Sequence, residues 1–182
     1  TVYPDWAVRG AAGRERRFLT SIYIDPPKEE ATNLRMLRRW QEVEKNEIRY
    51  QTYFMDDARY AVVGFGSSGR AALSAVRAAR EEGIPVGLLR PITLNPFPVK
   101  VLEDLADRVE AMLVVEMNAG QMLEDVRAAT KGKLPIEFFA RLGGMVPLPD
   151  EVLREIRRLA AGPLTLEGHP RDRWLERMVS MN

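Results

Sequence analysis

The segment Val62-Val63-Gly64-Phe65-Gly66-Ser67-Ser68-Gly69-Arg70 constrains this chain most, because it reads as a buried strand, a glycine turn and a helix start in immediate succession. A strand buried on both faces has this unbroken apolar character, and glycines let a helix follow it closely. The spelling is also that of a dinucleotide-binding turn, which requires an acidic residue about 20 residues further on to bond a ribose hydroxyl. Here the next apolar strand ends in Leu88-Leu89-Arg90-Pro91. A nicotinamide site lacks its acid at that point, although Arg90 is of the type that accommodates a 2′-phosphate.

From Tyr60 onward, short apolar segments alternate with amphipathic ones. The pattern predicts strands over about 60–65, 85–89, 111–116 and 134–139, and helices over about 68–82, 98–107, 119–131 and 149–161. Such alternation points to an α/β fold, a mainly parallel sheet in a three-layer α/β/α arrangement with right-handed crossovers. Small residues Ala71, Ala72, Ala75, Ala78 and Ala79 let the first of these helices approach the sheet, and Gly69 serves the same end. Pro98 and Pro149 suit first helical positions.

Outside that pattern the signals are sparser. Phe18-Leu19-Thr20-Ser21-Ile22-Tyr23-Ile24 suits an edge strand or extended arm, and Asp25 can cap a helix over about 28–47. Leu34, Leu37, Met36, Trp40 and Val43 give that helix a narrow apolar stripe, as on a domain surface or against a neighbour. Trp174, Leu175 and Met178 among charges suggest a short amphipathic helix near the end. The expected division is residues 1–55 as arm and helix, 56–162 as the α/β domain and 163–182 as a tail. Opening on Thr1-Val2-Tyr3-Pro4, the chain reads as a piece of a longer polypeptide.

Composition narrows the chemistry. The 182 residues carry 27 basic against 26 acidic side chains, a net charge of +1, so no nucleic-acid or membrane partner is called for. Without cysteine the chain has neither a thiolate nucleophile nor ligands for an iron–sulfur cluster. One histidine, His169, cannot make an ordinary zinc site and reads as a surface residue. No apolar run approaches the roughly 20 residues that cross a bilayer, and no signal peptide opens the chain, which suggests a cytoplasmic protein.

Three junctions carry hydrogen-bonding groups. Gly66, Ser67, Ser68 and Gly69 expose amides at a helix start, fit to hold an anion, or else make a tight turn with a serine cap. Arg90 and Thr93, in a loop stiffened by Pro91, Pro96 and Pro98, suit a carboxylate or phosphate contact, or a rigid interface loop that presents Leu94 and Phe97. Glu116, Asn118 and Gln121 lie at a strand-to-helix junction. Glu116 suits a general base or an ion-pair partner for Arg90, and Asn118 a helix cap. Gly143-Gly144 suit a turn passing close to its neighbours.

Four segments in order, Gly64–Arg70, Gly87–Pro98, Val114–Met122 and Arg141–Gly144, resemble the α subunit of 2-oxoacid:ferredoxin oxidoreductases, most closely the branched-chain 2-oxoisovalerate type. The resemblance extends over about residues 56–160 and implies a transketolase-C-terminal-like domain. It implies a complex that oxidatively decarboxylates a 2-oxoacid, passing electrons to ferredoxin and the acyl group to coenzyme A. Thiamine diphosphate, Mg2+ and iron–sulfur clusters then belong to the full complex, with none bound by this chain alone and no catalytic residue in it. The resemblance implies that the thiamine-activating glutamate of that family lies in a preceding pyrimidine-binding domain, outside the residues that carry the resemblance. The implied partners are a thiamine diphosphate-binding β subunit, a γ subunit and a ferredoxin-like δ subunit. The equivalent domain of another thiamine enzyme, either a 2-oxoacid dehydrogenase β chain or a transketolase-like synthase, is one alternative reading. A free nucleotide-binding module is another.

Overall fold

The computed structural model describes residues 21–180 and, before them, residues 2, 4, 7, 10 and 12–16. The chain forms two compact units, residues 1–42 and 43–182. Helix α1 (Pro26–Asn46) follows Asp25, buries none of its residues and leaves Leu34, Met36 and Leu37 exposed. Of the extended segment expected over Phe18–Ile24, residues 18–20 lie outside the described residues, and 21–24 are irregular rather than a strand.

The second unit is the α/β body. Its elements run β1 (Tyr50–Tyr53), β2 (Tyr60–Gly64), α2 (Gly66–Glu81), β3 (Val86–Pro91), α3 (Val99–Ala106), β4 (Ala111–Glu116), α4 (Gln121–Thr130), β5 (Ile136–Ala140), α5 (Pro149–Ala161) and α6 (Pro170–Ser180). The sheet order is β1-β3-β2-β4-β5, with β2, β3, β4 and β5 parallel and β1 antiparallel on β3. Helices α2 and α5 pack together, as do α3 and α4, enclosing the sheet in three layers. Val62, Val63, Leu88, Leu113, Val114 and Phe138 are fully buried in its middle, the reason these strands read as apolar runs without alternation.

Strand β1 was not foreseen. Tyr50-Gln51-Thr52-Tyr53 is largely exposed and becomes a strand by pairing Gln51 with Arg90 and Thr52 with Leu89. Arg80, in the last turn of α2, secures the connection that follows, donating to the carbonyls of Phe54 at 2.6 Å and Val86 at 2.7 Å and to Asp57 at 2.7 Å. Pro149 occupies the first turn of α5 as expected, whereas Pro98 stands just before α3. The amphipathic helix expected near the end is α6. Its Trp174 is buried edge-on against Phe138 of β5, 5.3 Å between ring centroids, so α6 docks on the sheet of its own chain.

Candidate functional site

The strand order places the site. From β2 the chain moves outward to β3, then returns across β2 to β4, so the connections diverge between the C-terminal ends of β2 and β4. In open α/β sheets that divergence opens a crevice beyond the strand ends. A cleft of about 220 Å³ lies there, lined by Phe65 after β2, Leu94 after β3, Glu116 and Asn118 after β4, and Gln121, Met122 and Asp125 of α4.

Glu116 is one of the residues that line this cleft. It is fully buried, and its two carboxylate oxygens accept the amides of Met122 at 3.0 Å and Leu123 at 2.9 Å. The side chain therefore satisfies the first turn of α4, whose amides have no helical acceptor. Burial pushes its carboxyl above the usual range, against the opposing pull of those amides and Asn118. Asn118 Oδ1 accepts from the amides of Gly120 and Gln121, both at 2.9 Å, turning the chain into α4. Asp125, one turn further on, also has a raised carboxyl, from burial and then the charge of Glu124.

The expected ion pair between Glu116 and Arg90 does not form. Arg90 donates to Gln51 of β1 at 3.1 Å, and Glu116 faces α4 instead. Both oxygens of Glu116 being engaged also leaves it poorly placed as a general base. Thr93 is likewise committed, because its hydroxyl accepts the Arg49 amide at 2.9 Å and donates to the Arg49 carbonyl at 3.3 Å. Phe97, expected to face a neighbour, packs half-buried against the core, while Leu94 stays exposed.

The glycine turn departs from expectation in its cap. Helix α2 starts at Gly66 with Phe65 as N-cap and no side-chain cap, so neither Ser67 nor Ser68 serves as one. Ser67 is exposed, and Ser68 is buried. Gly66 has φ +54 with open space around it, whereas Gly69 is required by contact, since a Cβ there would lie 2.7 Å from the Gly64 carbonyl oxygen. Gly143 and Gly144, expected to pass close to neighbours, have open space around them as well. Their φ values of +62 and +88 are what call for glycine.

The structure thus gathers Glu116, Asn118 and Gln121 into one cleft and leaves Gly66, Ser67, Ser68, Gly69, Arg90, Thr93 and Phe97 outside its lining. Asp125 and Phe65 were missed, being an ordinary helix acid and an ordinary turn aromatic in the sequence. The cleft pairs an apolar wall of Phe65, Leu94 and Met122 with carboxylates and no cation, so it disfavours phosphates and other anions. It does not fit thiamine diphosphate either: its buried glutamate is spent on backbone amides, and no cluster of metal ligands occurs among the described residues. Among those residues no helix is long and apolar enough to cross a membrane.

Comparison with known proteins places the chain in a family and a fold. The family model for the pyruvate:ferredoxin oxidoreductase core domain II matches residues 58–152. The chain is 43% identical over 155 residues to ketoisovalerate oxidoreductase subunit VorB of Methanothermobacter thermautotrophicus, covering 85% of this chain and 44% of that protein. It thus spans less than half the length of that relative. Its fold matches 2-oxoglutarate:ferredoxin oxidoreductase from Magnetococcus marinus, solved with 2-oxoglutarate, coenzyme A and succinyl-CoA bound, at a TM-score of 0.65 and 19% identity over 74% of this chain and 24% of that one. A split-gene transketolase, an inactive β4 tetramer, matches at a TM-score of 0.50 and 16% identity over 60% of this chain and 40% of that one.

Proposed function

The chain belongs to the pyruvate:ferredoxin oxidoreductase core domain II family, and from that membership we propose that it is the transketolase-C-terminal-like domain of a 2-oxoacid:ferredoxin oxidoreductase α subunit, of the branched-chain 2-oxoisovalerate type. In the proposed complex a 2-oxoacid, coenzyme A and oxidised ferredoxin become an acyl-CoA, carbon dioxide and reduced ferredoxin. Thiamine diphosphate, Mg2+ and the iron–sulfur clusters reside on other domains and on the β, γ and ferredoxin-like δ subunits. The task of this domain is assembly, and its surface for that task is the C-terminal edge of the sheet.

The observation that carries this reading is the exposure of large apolar side chains beyond the C-terminal ends of the strands. Leu94 after β3, Met117 after β4, and Leu142, Met145, Val146 and Leu148 after β5 are all exposed, and because these strands are parallel they emerge on one edge. Exposed apolar groups gathered on one edge of a sheet among polar neighbours suit a docking surface.

The test replaces Leu94 and Met145 singly by aspartate in the complete α subunit, scoring its melting curve, its co-purification with the other subunits and turnover of 2-oxoisovalerate. Unchanged melting with lost co-purification and turnover is expected. Normal assembly and turnover in both variants overturns the assignment.

A further inference from the structure

In a parallel ladder, residues whose amide and carbonyl face the neighbouring strand alternate with residues whose groups face away. Met112 of β4 donates to the carbonyl of Pro135, and Arg141 donates to the carbonyl of Glu116. Residues 135, 137, 139 and 141 therefore face β4. Ile136, Phe138 and Ala140 turn their backbone groups outward, along the edge of the sheet.

Helix α6 takes two of those three outward carbonyls. Arg173 Nη2 donates to Ile136 O at 2.6 Å, and Arg177 Nη2 donates to Phe138 O at 3.1 Å. The match is geometric, because four helical residues rise about 6 Å and two strand residues about 6.6 Å. The same two guanidiniums close on Glu137 between those carbonyls, at 3.1 Å from Arg173 and 3.4 Å from Arg177. Trp174 holds the helix down against Phe138. A guanidinium has donors only, so this cover has nothing to offer the three outward amides.

We infer that the outer edge of β5 is a latent strand-pairing surface held shut by Arg173 and Arg177, and that the partner it fits is the same edge of a second copy of this chain. The outward residues are spaced evenly about Phe138. Antiparallel pairing on a two-fold axis there sets Phe138 opposite itself and Ile136 opposite Ala140, and it uses the outward carbonyls and amides together. Ile136-Glu137-Phe138-Phe139-Ala140 contains no proline or glycine and a single charge, the composition that pairs readily once an edge is open. Opening it means withdrawing both arginines from a glutamate that is 5% exposed, which favours the closed state.

The experiment uses the full chain and two variants. Arg173→Met/Arg177→Met/Glu137→Gln removes the cover while leaving no charge at position 137 unpaired. Arg173→Lys/Arg177→Lys keeps two cations near Glu137 but replaces each forked donor by a point charge that serves carboxylate and carbonyl together poorly. Sedimentation velocity across a dilution series is read beside hydrogen exchange at the amides of 136, 138 and 140. The triple variant is expected to self-associate about tenfold more tightly than the unchanged chain, or more. The three amides become protected in its associated form, and the lysine variant falls between. A folded triple variant with the unchanged association constant, or association that leaves these amides unprotected, overturns the inference. If the triple variant does not fold, unchanged association in a folded lysine variant overturns it.

Discussion

Gly69 lies so close to Gly64 that a methyl group on it would meet the Gly64 carbonyl oxygen at 2.7 Å. The contact is helix backbone against strand backbone, and it fixes how near the start of α2 sits to the end of β2. Arg90 Cγ closes the same spot, 3.3 Å from that methyl position. Gly69→Ala must push α2 off the sheet and is expected to cost about 1–3 kcal/mol. Gly66 meets no such contact and is constrained only by φ +54, a region that asparagine tolerates better than alanine. Denaturant unfolding should therefore rank Gly66→Asn milder than Gly66→Ala, yet Gly69→Asn worse than Gly69→Ala. The same ranking at both positions would contradict this division.

Glu116 gives the body a pH dependence of definite sign. Burial raises its carboxyl above the ordinary glutamate value of 4.5, so between those two values the folded chain binds more protons than the unfolded one. Its contribution is most favourable below 4.5 and is lost as the pH rises through the folded value. Asp125 is raised too, by burial and then Glu124, and adds a fall of the same sign. Glu116→Gln should flatten the decline in unfolding free energy as the pH rises above 4.5, leaving the part due to Asp125. Identical pH slopes for the variant and the unchanged chain would remove Glu116 from this role.

How far the fold was legible follows from which residues set each element. Strand β4 and helix α5 form over the residues expected, because Ala111–Glu116 is buried throughout and Pro149 starts a helix whose Val152, Leu153, Ile156 and Leu159 share one buried face. Strand β1 was not legible: Tyr50-Gln51-Thr52-Tyr53 has no buried face of its own, and its pairing partner lies some forty residues later in Leu88–Pro91. The site was half legible. Its three junctions could be found from glycine, proline and asparagine, but the partner of Glu116 could not. A charge-counting argument pairs it with Arg90, whereas burial directs it to amides six and seven residues ahead.

The clamp at Glu137 invites a direct measurement of stability. Glu137 is held by Arg158 at 2.8 Å as well as by Arg173 and Arg177, and Glu155 joins Arg158 and Arg177. Removing one partner of a buried pair strands the other charges. Arg158 is 35% exposed and can recover some water, so Glu137→Ala is expected to cost about 2–4 kcal/mol, below the full cost for a buried pair. Hydrogen exchange should show α6 opening before the rest of the body. A loss under about 0.5 kcal/mol would mean the clamp holds little.

The last prediction concerns nucleotides, since the turn from Gly64 to Gly69 has the spelling of a dinucleotide site. Beside that turn the switch-point cleft offers Glu116 and Asp125 and no cation among its lining residues, which repels a pyrophosphate. At the end of β3, where a ribose-binding acid would stand, Arg90 is drawn to Gln51 of β1. Neither NAD nor NADP should stabilise the chain. NADP is the sterner trial, because Arg90 could leave Gln51 for a 2′-phosphate. A ligand at one hundred times its dissociation constant would add about 2.7 kcal/mol, which a thermal melt resolves readily. A rise of that order with NADP that disappears in Arg90→Ala would show that the glycine turn does bind a dinucleotide. No shift with either cofactor leaves the turn its contact role, which is to bring α2 against β2 through Gly69.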